Sequence, residues 1–330
     1  MLYGYVPTEI IKDGFSFEGR AGSVDPVIII RENEWVSEIG WRYRAPLRDI
    51  ESYVEYINQK ELKEAVVRVS DLSFLERCPS LKRMTIDPPV GNKGTMDYSP
   101  LYRLPQIESL QCIAYYGEFD QYISEVDYSK IRGLVSLGVQ VTKGMKNYEK
   151  IPTLKSLFLS DFKGRNRDLT DAFCSEQLDI LSMIACGIKS LKGLSQSKKM
   201  ELMDLSYCRS LEDISELRAV KKTLRRLNIE NCGKIKDFSV LGELENLETL
   251  SLDGNNTIPN LKFLENLKNL KMFSFSVNVE DGDLSPCLKL PAAYCDRGRK
   301  HYNLKDSDLP KNKYEPGETD IEAWRQGVFG

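Results

Sequence analysis

The chain has 330 residues, 41% hydrophobic and 29% charged, with 46 basic against 49 acidic side chains and a formal net charge of −3. That near balance argues against a general nucleic-acid binder, no apolar run approaches the ~18 residues of a membrane span, and Met1-Leu2-Tyr3-Gly4-Tyr5 lacks the basic-then-apolar order of a secretory signal. The 8 cysteines, three of them at one recurring position, read as reduced thiols in structural roles and point to a reducing, cytoplasmic setting.

Residues 1–46 show no repeat. Tyr3, Tyr5, Phe15 and Phe17 alternate with smaller or polar residues, Val27 to Ile30 is a continuous apolar run, and Gly14, Gly19 and Gly22 punctuate them, which predicts a small antiparallel sheet. Trp35, Trp41 and Tyr43 are expected to cover the open end of the stacked strand units that begin near Leu62, with a separate ligand-binding module as the alternative. Leu47, Ile50, Tyr53, Val54 and Ile57 recur at helical spacing and predict an amphipathic helix packed on the first strand unit, so residues 1–61 form an expected N-terminal cap.

Short strand signals then recur. Leu62, Ala65 and Val67 give a degenerate first one, Leu81, Met84 and Ile86 a clearer one, and further strands are expected to start at Ile107, Leu134, Leu154, Leu178 and Met200. From Ile107 to Leu224 the intervals run from 20 to 27 residues, with extra length assigned to loops such as Pro88 to Tyr98 and Tyr115 to Val126. From Leu224 one pattern appears three times at an interval of 23 residues: Leu224, Leu227, Ile229, Cys232; Leu247, Leu250, Leu252, Asn255; Leu270, Phe273, Phe275, Asn278. The apolar residues three and five places on alternate with exposed neighbours, as in a half-buried strand. The eighth place turns the chain out of the sheet, where Asn satisfies backbone groups or a small Cys fills the space. Cys186, Cys208 and Cys232 share that place.

A period of 20–29 residues with L-x-x-L-x-L-x-x-N/C resembles the leucine-rich-repeat family. The resemblance implies an α/β fold: a curved solenoid with a parallel β-sheet on its concave face, closed by N-terminal and C-terminal caps. Counting from Leu62 gives ten strands, and connections such as Ile235 to Leu241 are expected as single helical or 3₁₀ turns mixed with a few helices. The N/C mixture and uneven lengths resemble intracellular bacterial repeat proteins more than secreted internalins. The pattern is expected to stop after Asn278, giving repeats over 62–283 and a C-terminal cap over 284–330, rich in charge and containing Pro286, Pro291, Pro310 and Pro316, with a short helix near Asp320 to Gln326.

Chemistry has few footholds. Cys287, Cys295 and His301 are spaced C-x₇-C-x₅-H without a fourth ligand, so no metal or cofactor is expected. His301 is the one histidine, and no nucleophile elbow or phosphate loop is present. Cys295-Asp296 resembles the reactive pair of bacterial leucine-rich-repeat ubiquitin ligases, but the tail is too short for such a domain. No enzyme activity is expected; a hydrolase or ligase-like tail is the alternative. The outward strand positions say more. Phe158, Ile180, Ile184 and Leu202 place apolar side chains on three adjacent repeats, Tyr207 lies at their edge, and Asp204, Glu230 and Asp253 form an acidic flank with Arg226. An apolar cluster rimmed by charge fits a protein-binding patch, unless the chain's own tail or a loop covers it. The expected function is recognition of a protein partner on the concave face, as adaptor or inhibitor, by a monomer that engages neither nucleic acid nor membrane.

Overall fold

Apolar residues three and five places apart become short strands, one per repeat, in a computed structural model that describes residues 8–19, 27–33, 35–38, 41–87, 96–112 and 125–312. The chain divides into two compact units, one reaching Tyr148 and the other beginning at Glu149.

In the first unit the expected antiparallel sheet is present. Strand β1 (Thr8–Lys12) and β2 (Phe15–Gly19) form a hairpin, β2 pairs antiparallel with β3 (Val27–Arg31), and β4 (Trp35–Glu38) and β5 (Trp41–Arg44) form a second hairpin. The side chains of Trp35, Trp41 and Tyr43, and Tyr3, Tyr5 and Gly22 altogether, lie outside the described residues. The predicted helix is α1 (Ile50–Lys60), with Tyr53, Val54 and Ile57 buried. Asp49 caps it by accepting from the Ser52 N–H at 2.8 Å, and Glu61 ends it in the left-handed region. Leu47 stays exposed before the helix begins. Phe15 packs on Tyr56 with ring centroids 4.3 Å apart, and Asn58 donates to the Arg77 carbonyl at 2.8 Å, so one face of α1 meets the hairpin and another the first repeat.

From β3 onward the pairing is parallel: β3 with β6 (Glu64–Arg68), then β7 (Arg83–Ile86), β8 (Ser109–Cys112) and β10 (Ser136–Gln140). The N-terminal strands therefore extend the same sheet that the repeats build. A two-stranded side ribbon pairs β9 (Val126–Asp127) with β11 (Met145–Lys146). Most of the two long loops expected in this region lies outside the described residues; Tyr98 is buried and Val126 belongs to β9.

In the second unit β12 (Ser156–Ser160), β13 (Ile180–Ile184), β14 (Leu202–Ser206), β15 (Arg226–Glu230) and β16 (Thr249–Asp253) pair in parallel and in step, Leu181 with Met203, Leu227 and Leu250 in turn. After a short β17 (Thr257–Ile258), β18 (Met272–Phe275) continues the sheet; β19 (Asn278–Val279) pairs with β17. The inward columns are fully buried, Leu224, Leu227, Leu247 and Leu250 among them. Every strand start read from Leu62 to Leu270 leads into a strand.

Three details differ from the sequence reading. The strands do not stop after Asn278: β20 (Ala292–Cys295) pairs in parallel with β18, Ala293 opposite Phe273 and Cys295 opposite Phe275. Among the described residues from β6 onward the connections contain no α-helix; most carry a 3₁₀ turn, for example Ser215–Val220, Ser239–Glu243 and Lys262–Asn266, and that between β12 and β13 has only turns and bends. Each 3₁₀ turn tends to start with an Asx turn, in which Asp71, Asp97, Asp213, Asp237 or Asp283 accepts the N–H two residues on. Such a turn gives the chain a tight exit with little room for a longer helix. Third, the asparagine that closes the turn after β16 is Asn256. Its amide donates to the Cys232 and Ile235 carbonyls at 3.1 and 3.0 Å, whereas Asn255 is exposed and accepts from Arg297. Asn278, expected at the same place one repeat later, instead opens β19.

The turn geometry explains that shift. Asp161, Ala185, Tyr207 and Asn231, each the residue before a buried turn position, take φ of 52–59°. The next residue then points inward: Phe162, Cys186, Cys208 and Cys232 are all buried. After β16 the corresponding place is Gly254 at φ 129°, a conformation that L side chains rarely adopt, and an added Cβ would sit 3.2 Å from the Asn231 backbone. The turn runs one residue longer and the inward place passes to Asn256.

Candidate functional site

Strand alternation puts positions two, four and six of each repeat on the sheet face opposite the leucines. In the second unit these are Ser156, Phe158 and Ser160 on β12; Ile180, Ser182 and Ile184 on β13; Leu202, Asp204 and Ser206 on β14; Arg226, Asn228 and Glu230 on β15; and Thr249, Ser251 and Asp253 on β16. The register aligns Ile180 with Leu202 and Arg226, Phe158 with Ser182 and Asp204, and Ile184 with Ser206, Glu230 and Asp253.

Exposure along this face is uneven. Ile180, Ile184 and Leu202 are half-buried, as are Arg226, Glu230 and Asp253. Phe158 is 6% exposed and Ser182 0%, so the aromatic side chain read as an exposed anchor is instead enclosed. Alternation specifies which face a side chain joins; it carries no information about what lies over that face. Tyr207 is half-buried, and its backbone N–H donates to the Glu230 carbonyl at 2.8 Å, which fixes the edge of the patch to the acidic row. Arg226 stands at the opposite end of β15 from Glu230, beside Leu202, and so borders the apolar pair instead of the acids.

Asp204 is the buried member of the acidic group. It accepts from Ser206 at 2.8 Å and from Asn228 at 3.0 Å. Burial pushes its carboxyl pKa above the ordinary carboxylate value despite those two hydrogen bonds, and the nearby Glu230 adds to the rise. Asp253 accepts from Ser251 at 2.8 Å, and Ser251 in turn receives the Ser274 hydroxyl at 2.9 Å. The sequence reading missed one member of the row. Asp296 occupies position six of the unforeseen repeat; burial raises its pKa, and Asp253 and Asp306 raise it further. Tyr294, aligned with Ser274 on the same face, carries the Lys311 ammonium 4.3 Å from its ring centroid. The signal for both residues was the spacing from Leu290, hidden because Ala293 and Cys295 stand where larger apolar residues are usual.

The tail chemistry is quiet. Burial raises the Cys295 thiol and pushes Cys287 up to about 12, opposite to what a thiolate nucleophile needs. His301 Nε2 engages the Val279 carbonyl at 2.9 Å. All 8 cysteines are free, and among the described residues no three His, Cys, Asp or Glu side chains converge as a metal site. No helix among the described residues is long and apolar enough to cross a membrane.

No family model matches the chain. Among curated proteins it is similar to Disease resistance protein RPS4B of Arabidopsis thaliana, 28% identical over 128 residues, which is 36% of this chain and 11% of that protein. It is also similar to a putative adenylate cyclase regulatory protein of Trypanosoma equiperdum, 24% identical over 224 residues, 67% of this chain and 31% of that protein. The chain thus spans less than a third of the length of either relative. Among solved structures it is similar to an internalin (inlF) of Listeria monocytogenes, with a TM-score of 0.45 and 13% identity over 82% of this chain and 78% of that one. Internalin C2 from the same organism gives 0.38 and 17% over 55% and 74%, and a leucine-rich-repeat protein of Leptospira interrogans 0.38 and 12% over 76% and 81%. The repeat interval, the strand register and the buried leucine columns are those of the leucine-rich-repeat fold.

Proposed function

We propose that the chain is a non-enzymatic recognition module, an adaptor or an inhibitor, that holds a protein partner on the outward face of β13–β16. The observation that carries this reading is the set of side chains left half-exposed on a rigid sheet: Ile180, Ile184 and Leu202 beside Glu230 and Asp253, with Asp204 buried between. Parallel pairing fixes these side chains before a partner arrives, which lowers the ordering cost of binding. Apolar contact area with charge at its rim is the usual make-up of such a surface. Phe158, enclosed on the same face one strand over from Ile180 and Ile184, flanks the patch in this reading instead of serving as an anchor. Eight free thiols fit a reducing, cytoplasmic setting.

The test uses the full chain as bait in extract from its native cell, followed by affinity measurement with whatever purified partner is identified. Leu202→Arg is expected to weaken that complex more than ~tenfold, about 1.4 kcal/mol or more, without changing Tm. Ala219→Lys, exposed on the connecting turn Ser215–Val220, is expected to bind as the native chain does. Equal affinity for the Leu202 variant and the native chain would place recognition elsewhere.

A further inference from the structure

We propose that the second unit carries a separate docking groove, at the edge where the chain enters β14, β15, β16 and β18, that binds an acidic polypeptide segment. The groove encloses about 480 Å³ and is formed by residues just before those strands. Its cations are Lys198, Lys199, Lys222, Arg225 and Lys271; its carboxylates are Glu201 and Glu248.

The charges fall into two groups. Glu248 is shared by Arg225, whose Nε lies 2.8 Å from it, and by Lys271 at 2.7 Å. Burial acts against ionisation of Glu248, but these two cations outweigh it and hold its pKa below the usual carboxylate value. That trio keeps one net positive charge, with both cations engaged by the single Glu248 carboxylate. Lys198, Lys199 and Lys222, in contrast, have no carboxylate at ion-pair distance among the described residues, and all three are exposed. On the connecting turns several cations are paired: Lys221 with Glu245 at 2.7 Å, Arg218 with Glu243 at 3.2 Å and Lys289 with Glu265 at 2.8 Å. The groove lining thus sets five cations against two carboxylates, with Lys198, Lys199 and Lys222 outside any ion pair and only the longer-range fields of Asp179 and Glu245 acting on Lys199 and Lys222.

The walls are held rigidly. Asn246 donates to the Lys222 carbonyl at 2.7 Å, and Asn269 to the Glu245 carbonyl at 2.9 Å and to Asn246 Oδ1 at 3.2 Å. The backbone ladder continues through the groove, from Arg225 to Glu201 at 2.8 Å and from Glu248 to Arg225 at 2.7 Å. Such a site needs little reorganisation to receive an anion.

Charge complementarity selects the occupant. A phosphate chain, uniformly charged along its length, would lie against Glu201 and Glu248. A polypeptide with carboxylates separated by neutral residues can meet the lysines and skip the carboxylates. Adjacent repeats stand about 4.8 Å apart and side chains on one face of an extended peptide about 6.6 Å apart, so flexible lysine stems on two repeats span two such carboxylates. The volume is at the small end of ligand sites, which suits a few peptide side chains. The groove lies at the strand entries, at the opposite strand ends from Glu230 and Asp253, with Leu202 and Arg226 of the outward face adjoining it.

The experiment is fluorescence anisotropy with the full chain and a fluorescein-labelled hexapeptide alternating glutamate with glycine. Saturable binding that weakens with added salt is expected, because the free lysines are exposed. The combined variant Lys198→Glu, Lys199→Glu, Lys222→Glu is expected to weaken binding more than ~tenfold; Lys222→Gln alone, weakening it severalfold, keeps the test decisive should the triple variant fail to fold. Lys236→Glu, exposed but outside the groove, is expected to bind the peptide normally. The proposal is overturned by absence of saturable binding, by equal loss in Lys236→Glu, or by inorganic hexametaphosphate or single-stranded RNA binding more tightly than the peptide.

Discussion

Cys208 and Asn256 close corresponding turns two repeats apart, and they use different chemistry. The thiol of Cys208 lies 3.7 Å from the Met183 and Ser206 carbonyls, and that of Cys232 lies 3.3 Å from Leu205 and 3.5 Å from Glu230. A thiol is a weak donor, so these turns are closed mainly by filling space. Asn256 makes two amide bonds at ordinary distances to buried carbonyls. The difference follows from one residue of turn length. Where a left-handed residue leads directly into the turn, as at Tyr207, a small apolar side chain lands inward. Where Gly254 lengthens the turn, the inward side chain reaches the buried Ile235 carbonyl and adds a second donor to the Cys232 carbonyl, which already accepts from the Ile235 N–H. Turns of the first kind depend on volume and those of the second on hydrogen bonds.

Both kinds of turn rest on the same apolar columns, so the largest loss should come from there. Leu250→Ala removes a fully buried side chain and is expected to cost about 2–5 kcal/mol, read by chemical denaturation; a cost under ~1 kcal/mol would mean the column is not shared core. Next, Asn256→Ala should cost about 1–3 kcal/mol by stranding the buried Ile235 carbonyl, and Cys208→Ala less, about 1 kcal/mol, because only packing is lost. Asn255→Ala should stay within about 0.5 kcal/mol. A reversed order of the Asn256 and Asn255 variants would break the comparison between turn types.

A pH-dependent effect concerns the strand entries. Asp179 and Glu248 hold the same place, one residue after the first leucine position. Glu248 stands between two cations, whereas Asp179 is pushed up to about 6, first by burial and then by neighbouring Glu201, with Lys155 and Lys199 opposing in part. A carboxyl whose folded pKa exceeds its unfolded value favours the folded state only when protonated. Stability therefore falls as pH rises from about 4 to about 6 and stays lower above that. Asp179→Asn is expected to raise Tm by a degree or two at pH 7.5 and to leave it unchanged near pH 3.5. The gain is held to about 1 kcal/mol or less because the carboxyl is partly exposed to screening solvent. A Tm rise of equal size at both pH values would show that the carboxylate's charge is not its cause.

At the C-terminal end the strand is present and its pattern is not. Phe273 and Phe275 stack with centroids 5.0 Å apart, and the register sets Ala293 and Cys295 beside them. Large rings in one repeat leave room for small side chains in the next, so β20 has a strand's geometry without a strand's usual apolar residues. The acidic Asp296 at its end stayed hidden for the same reason.

What the amino-acid order by itself determined is the repeat: its strand starts, its inward columns, the N-terminal antiparallel strands and the helix at Ile50–Lys60. These come from local alternation and helical spacing, which bury one side of each element wherever it packs. Tertiary structure alone decided three other things. It made Asn256 and not Asn255 the buried amide, because that choice turns on the φ of Gly254. It enclosed Phe158 while leaving Ile180, Ile184 and Leu202 half-exposed, because exposure depends on what lies over a face. It gathered Lys198, Lys199 and Lys222 into one groove without carboxylate partners, because charge pairing between repeats depends on which side chains the stacked strands bring within reach.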